Sequence, residues 1–250
     1  MKPAPYDLLG AATLPEALAR VAAGARPLAG GQSLMPAMNL RLLRPAALVD
    51  LKRLPALRAV QETPTHVRLG AAITHAEIED GLVPDPAEGL LAHVARGIAH
   101  RAVRNRGTLG GSLAHADPAA DWPSVMVALA ARVIALGPAG ERAIPAAEFM
   151  LAPFATALRP EEILLAVDIP RLPPGTRWGY CKISRKTGAF AQAIGVAVGS
   201  PPRLVAGAVE APPVLLAAPE EAEARLSWLD PAARARAAVA LRRALAMQQA

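Results

Sequence analysis

The residues best suited to chemistry are two glycine pairs, Gly30-Gly31 and Gly110-Gly111, each beside small hydroxyl residues. The first lies in LAGGQSLMP (28–36), the second in RNRGTLGGSLAHADPAAD (104–121), and a helix-like run follows each. Glycine tolerates positive φ and lets a ligand approach bare backbone. Successive peptide N–H groups in such a turn form a concavity for an anion. A helix start adds free N–H groups and the positive end of its dipole. One such loop holds a phosphate weakly, whereas two could grip both phosphates of a dinucleotide. On the glycines alone, a pair of ordinary turns explains the pattern as well. The donors expected in the first loop are the N–H groups of Gly30, Gly31, Gln32 and Ser33. The Ser33 hydroxyl fits a helix N-cap equally.

Other chemistry finds less support. The five histidines, His66, His75, His93, His100 and His115, show no His-Glu-x-x-His or related metal spacing. His115 with Asp117 is at best a weak chelate. Cys181 is the only cysteine, which excludes an internal disulfide and any Cys-ligated iron–sulfur cluster held by this chain alone. No Gly-x-Ser-x-Gly elbow supports a hydrolase. The Rossmann pattern Gly-x-Gly-x-x-Gly is also missing, so a nicotinamide fold is not indicated. Neither catalytic side chains nor metal ligands are therefore expected. Asp121 fits two roles, a helix N-cap or an acceptor for sugar hydroxyls, since a diphosphate would repel it.

A chain of 250 residues can form one large domain or two to three small ones and can bury ample core. Hydrophobic residues at 53% with aromatics at 3% make that core one of Ala, Leu and Val. The net charge of +6 comes without a block of basic residues. That argues against nucleic acid, which calls for a basic stripe with aromatic platforms. A basic face still suits an anionic cofactor or an acidic partner. MKPAPYDLLG lacks the apolar run of a signal peptide, and no stretch of roughly 18 uninterrupted apolar residues occurs. The expectation is no membrane span and a cytoplasmic location, which the lone cysteine fits.

The elements that must position the glycine loops can be read in order. Thr13-Leu-Pro-Glu16 is a capping-box pattern that starts a helix running to Gly24. Strands are expected at 26–29 and 47–51, with a helix from Ser33 to Leu42 between them. The expected strands continue at 57–61 and 66–71, followed by a helix opened by the capping box Thr74-His-Ala-Glu77. Residues 86–100 read as helix and lead into the second glycine motif, and Asp121-Trp-Pro opens another. A hairpin at 133–144 and a strand at 163–169 follow. After a Pro-rich linker come three strand-like runs, at 177–184, 191–198 and 203–210, and two helices, at 219–229 and 231–247. The units expected are 1–54, a β-α-β subdomain; 55–172, an α+β subdomain; and 173–250, a small antiparallel sheet with helices.

Longer strings carry a family resemblance. LAGGQSLMPAMNLRL followed by LVDL resembles the first FAD-binding loop of molybdenum hydroxylase flavoprotein subunits. These include the medium subunits of aerobic carbon monoxide dehydrogenase-like enzymes and the FAD domain of xanthine dehydrogenase. VRNRGTLGGSLAHADPAADWP resembles their second loop, and WGYCKISRKTGAFA the opening of their C-terminal domain. The resemblance implies an α/β (α+β) chain, with a two-part FAD-binding domain of the PCMH/vanillyl-alcohol-oxidase-like type and a small C-terminal sheet-and-helix domain. It implies FAD contacts at Ala29, Gly30, Gly31, Gln32, Ser33, Thr108, Gly110, Gly111 and Ser112. Asp121 would meet a ribose or ribityl hydroxyl, with Asp117 a weaker candidate. Lys182 would lie near the flavin, where a cation favours the reduced anion. Tyr180, two residues away on the same strand face, is either a neighbour of the ring or a core tyrosine. Ile163 and Leu164 would cover the ring. Ala189 replaces the aspartate usual in that segment.

The implied function is an FAD-carrying electron-transfer subunit of an oxidoreductase. Molybdopterin would sit in a large partner and 2Fe–2S clusters in a small ferredoxin-like partner, in a dimer of heterotrimers. A self-contained FAD oxidoreductase and a flavin-free assembly module are the competing readings.

Overall fold

The computed structural model describes residues 2–249, so Met1 and Ala250, the ends of the outer expected units, lie outside the described residues. The chain begins with β1 (Asp7–Leu9), α1 (Leu14–Ala22), β2 (Arg26–Leu28), α2 (Leu34–Asn39) and β3 (Ala47–Asp50). These strands form a parallel sheet in the order β1-β3-β2. Thr13 caps α1 by accepting from the Glu16 N–H at 3.3 Å, and Gly24 ends it at φ +93°. The helix buries Ala17 and Val21. β1 had no counterpart among the expected strands; it is three residues long and mostly exposed, which leaves little periodicity to detect.

α2 stops three residues short of the expected Leu42, and Ser33 does not cap it. The reason lies in the donors. Pro36, third in the helix, has no N–H, and Met35 donates to the Gly31 carbonyl at 3.2 Å. Nothing is left in that turn for the Ser33 hydroxyl to accept.

The middle of the chain adds β4 (Val60–Glu62), β5 (His66–Gly70), α3 (His75–Glu79), α4 (Leu90–Arg96), α5 (Arg101–Arg104), α6 (Leu109–His115) and α7 (Asp121–Ala128). It continues with β6 (Arg132–Gly137), β7 (Gly140–Pro145), α8 (Ala146–Phe149), β8 (Met150–Ala152), β9 (Ala155–Thr156) and β10 (Ile163–Pro170). Five of these strands make a sheet ordered β4-β5-β10-β6-β7, while β8 and β9 pair only with each other. β10 takes the centre because residues 163–167 are all buried. Its half-buried Asp168 is matched by Arg68 on β5, at 2.6 and 2.9 Å. The strand expected at 57–61 begins instead as a 3-10 turn, Pro55–Arg58. Pro55 opens that turn, and Leu57 serves as a core plug. All eight residues of α7 are buried.

The remainder is a meander, β11 (Trp178–Ile183), β12 (Ala193–Val198), β13 (Arg203–Gly207) and β14 (Val214–Leu216), then α9 (Ala222–Arg225) and α10 (Pro231–Gln249). The helix expected over 219–229 shrinks to a 3-10 turn plus α9, because Trp228 turns away to donate to the Val209 carbonyl. The third sheet is tied to the middle of the molecule. Arg203 donates to the Val127 and Ala128 carbonyls at the end of α7, at 3.2 and 3.1 Å. The α+β fold class expected from the sequence is the one observed.

Candidate cofactor cleft

A cleft of about 870 Å³ opens between the first sheet, the middle sheet and β11. That volume lies within the range of about 300–1,000 Å³ usual for small-molecule sites. The first glycine motif forms one wall. Gly31 sits at φ +73°, which reverses the chain between β2 and α2. A Cβ on Gly30 would overlap the Arg106 carbonyl and come within 2.8 Å of the Gly107 Cα. The two motifs therefore touch backbone to backbone at this point. The N–H groups of Gly30, Gly31, Gln32 and Ser33 have no protein acceptor among the described residues. The Gln32 side chain folds back to donate to the Gly30 carbonyl at 3.2 Å.

The second motif is built differently: the expectation of matching backbone donors is corrected for Gly110, Gly111 and Ser112, while the Thr108 N–H has no acceptor among the described residues. Gly110 and Gly111 lie in the first turn of α6, capped by the Thr108 hydroxyl. Residues 107–109 run antiparallel to 73–75, so Leu109 donates to Ile73 and Gly110 to Ala71. Gly111 donates to Thr108 Oγ1 at 3.0 Å, and Ser112 to the Thr108 carbonyl at 3.0 Å. None of these four N–H groups is free for a ligand. With seven residues and its cap filled, α6 also offers no open helix end. Thr108, Gly110, Gly111 and Ser112 do line the cleft, with Gly111 packed near Ala29.

Asp121 also departs from the N-cap reading. Ala120 occupies the cap, and Asp121 is the first helical residue. Its carboxylate is buried and accepts from the Tyr180 hydroxyl and from Lys182 Nζ, the latter at 3.0 Å. Lys182 also donates to the Gly97 carbonyl at 3.2 Å. Tyr180 and Lys182 do face the same way, as their strand spacing implies, but they converge on Asp121. Tyr180 is a core residue and does not border the cleft; burial, then the Asp121 charge, push its phenol far above the ordinary value. Asp121, Lys182, Ile163, Leu164 and Asp117 border the cleft, as does Ala189 on the segment after β11. Two arginines without an ion-pair partner among the described residues, Arg26 and Arg159, border it too.

Sequence reasoning passed over one buried histidine. His75 is 5% exposed and lines the cleft beside the Gly30–Gly107 crossing. Trp122 Nε1 donates to its Nδ1 at 3.1 Å. Burial, and then the charge of Arg104, push the ring's pKa down to about 4. The available signal was the capping box: it fixed the start of α3 and so placed His75 at the first helical position.

Residues 4–172 match the family described as the FAD binding domain in molybdopterin dehydrogenase. That is more than half of the chain, and the protein belongs to this family, as the resemblance implied. The subunit alpha of the 6-hydroxypseudooxynicotine dehydrogenase complex of Paenarthrobacter nicotinovorans is 39% identical over 194 residues, 76% of this chain and 66% of that one. The carbon monoxide dehydrogenase medium chain of Hydrogenophaga pseudoflava is 38% identical over 176 residues, 70% of this chain and 61% of that one. In these alignments the chain spans just under two thirds of the relatives' length. Among solved structures, Hydrogenophaga pseudoflava carbon monoxide dehydrogenase lacking the Mo-pyranopterin moiety superposes with a TM-score of 0.93 at 31% identity. That superposition covers 100% of this chain and 99% of the other. Quinoline 2-oxidoreductase of Pseudomonas putida 86 gives 0.87 at 31% identity, with coverage of 100% and 99%.

The cleft fits a dinucleotide. Four adjacent N–H donors point to an anionic group, and the Gly30 position leaves no room for a side chain where the two motifs meet. Among the described residues no group of three or more His, Cys, Asp or Glu side chains could hold a metal ion. No helix there is long and apolar enough to cross a membrane.

Proposed function

We propose that this chain is the FAD-carrying electron-transfer subunit of a molybdenum hydroxylase. The observation that carries the proposal is the 30–33 turn, whose four unpartnered N–H groups open on a cleft of cofactor size. The turn holds the diphosphate, with Arg26 and Arg159 adding positive charge at the rim. Ala29, Thr108, Gly110, Gly111 and Ser112 shape the wall by contact, while Ile163 and Leu164 give apolar cover. Asp121 and Lys182 present a neutralised pair to the cleft, with Tyr180 behind them. FAD supplies the redox chemistry, taking up electrons and releasing them to an external acceptor.

The substrate is oxidised at a molybdopterin in a large partner, and a small ferredoxin-like partner carries the 2Fe–2S clusters. The arrangement proposed is a dimer of heterotrimers in the cytoplasm. Cys181 alone cannot ligate a cluster, so the proposed relay lies outside these 250 residues, which supports the partner reading. The three larger sheets support the proposed folding units 1–54, 55–172 and 173–250, which limited proteolysis would test by cutting near 54 and 172.

The purified chain should show a flavin absorption spectrum after incubation with FAD and should release that flavin on acid precipitation. It should not reduce its flavin with organic substrate until co-expressed with both partners. A colourless protein that takes up no FAD would overturn the reading. Substrate-dependent flavin reduction by the isolated chain would establish a self-contained oxidoreductase instead.

A further inference from the structure

The most informative group the mechanism has not used is His75. Trp122 Nε1 can only donate, so the Nδ1 that receives it must be unprotonated. A neutral imidazole carries one proton, which is therefore on Nε2. A charged ring would place an N–H against the Trp122 N–H, and burial disfavours the charge further. Nε2 has no protein acceptor among the described residues, and the ring lines the cleft. A Cβ on Gly107 would lie 2.9 Å from that nitrogen, so the glycine keeps this ring edge clear. The same Gly107 touches Gly30, the first residue of the free-donor turn.

We propose that His75 is a fifth hydrogen-bond donor of the site, a neutral imidazole whose Nε2–H meets a phosphoryl oxygen of the bound dinucleotide. The inference rests on the FAD reading above and adds a residue to it. The ring contributes direction without charge. Trp122 orients it, as an outer group orients a metal-bound histidine by fixing its tautomer.

Two substitutions separate this role from a structural one. In His75→Asn, the side-chain oxygen falls where Nδ1 was and still accepts from Trp122, but the donor is lost. His75→Gln reaches the Nε2 position with an N–H and leaves Trp122 unpaired. Wild type is titrated first with FAD, which tests the underlying reading by itself. His75→Asn should then weaken FAD binding about tenfold, the size of a lost hydrogen bond to a charged acceptor. His75→Gln should stay within about threefold of wild type although it unfolds at lower urea. ADP, which has the diphosphate without the flavin, should weaken by the same factor as FAD. A purely structural histidine would make affinity follow stability, so tighter binding by the Asn variant than by the Gln variant overturns the proposal. Unchanged ADP binding alongside weakened FAD binding overturns the phosphoryl assignment. Wild type that binds FAD and an Asn variant that binds it equally would remove His75 from the site while leaving the FAD reading intact.

Discussion

The two glycine motifs look alike in sequence and are hydrogen-bonded differently. In the first, the N–H groups of Gly30 to Ser33 have no protein acceptor among the described residues, and all four residues line the cleft. In the second, the N–H groups from Leu109 to Ser112 are turned into the protein, and among the described residues only the Thr108 N–H has no acceptor there. Leu109 and Gly110 bond to residues 73 and 71, Thr108 caps its own helix, and Asp121 at the motif's end is held by Tyr180 and Lys182. The lesson is that a Gly-Gly pair reports close approach of backbone and does not say what approaches. At Gly30 and Gly110 the neighbour is protein backbone, and among the described residues the 30–33 turn leaves a run of four donors without a protein acceptor.

The largest effect that tests this contrast should come from Lys182→Ala. The substitution leaves the Asp121 carboxylate buried without its cation, and breaking such a pair costs about 3–5 kcal/mol. Urea denaturation should show that loss, and the double variant with Asp121→Asn should recover most of it. Additive losses in the double variant would mean that the two side chains are not coupled.

Acid should act next, through His75. Its pKa falls from 6.5 to about 4 on folding, so the unfolded chain binds the proton first. Stability should therefore drop as pH falls from about 6.5 to about 4, by roughly 3 kcal/mol if His75 alone acts, and level off below that. Denaturation midpoints at pH 7 and pH 4.5 measure the slope, which His75→Asn should flatten.

The smallest effects sharpen the comparison most. Gly31→Ala strains a left-handed residue by about 1 kcal/mol and tilts the free donors, so FAD affinity should fall more than stability. Gly111→Ala would set its Cβ 2.7 Å from Thr108 Oγ1, disturbing a cap worth about 1 kcal/mol. Because that N–H serves the protein, FAD affinity should stay within about threefold. Equal losses of affinity in both variants would show that the motifs share the ligand after all.

Much of the frame was legible because it depends on local signals. Thr13 and Thr74 announced α1 and α3 through capping patterns, and the hairpin of β6 and β7 through its glycine turn. The first glycine loop was legible for the same reason, since a turn between a strand and a helix is set by its own residues. The second motif was not. Whether Gly110 sits in a loop or a helix is decided by pairing with Ile73 and Ala71, nearly forty residues earlier. For Asp121 the choice between a cap and an acceptor for sugar hydroxyls stayed open on the residues alone, because its protein partners lie some sixty residues later, on β11. His75 was hidden by its own capping box, which explains the helix start without needing the ring.

The link between Asp121 and Lys182 also sets an order of events during synthesis. Sixty-one residues separate the carboxylate from its cation. Until β11 has left the ribosome, Asp121 must stay in water, and the cleft lacks one wall. A chain stopped at 172, the end of the family match, would thus carry both glycine motifs and still leave that carboxylate unsheltered. Cofactor loading is therefore expected to be a late step that waits for the last third of the polypeptide.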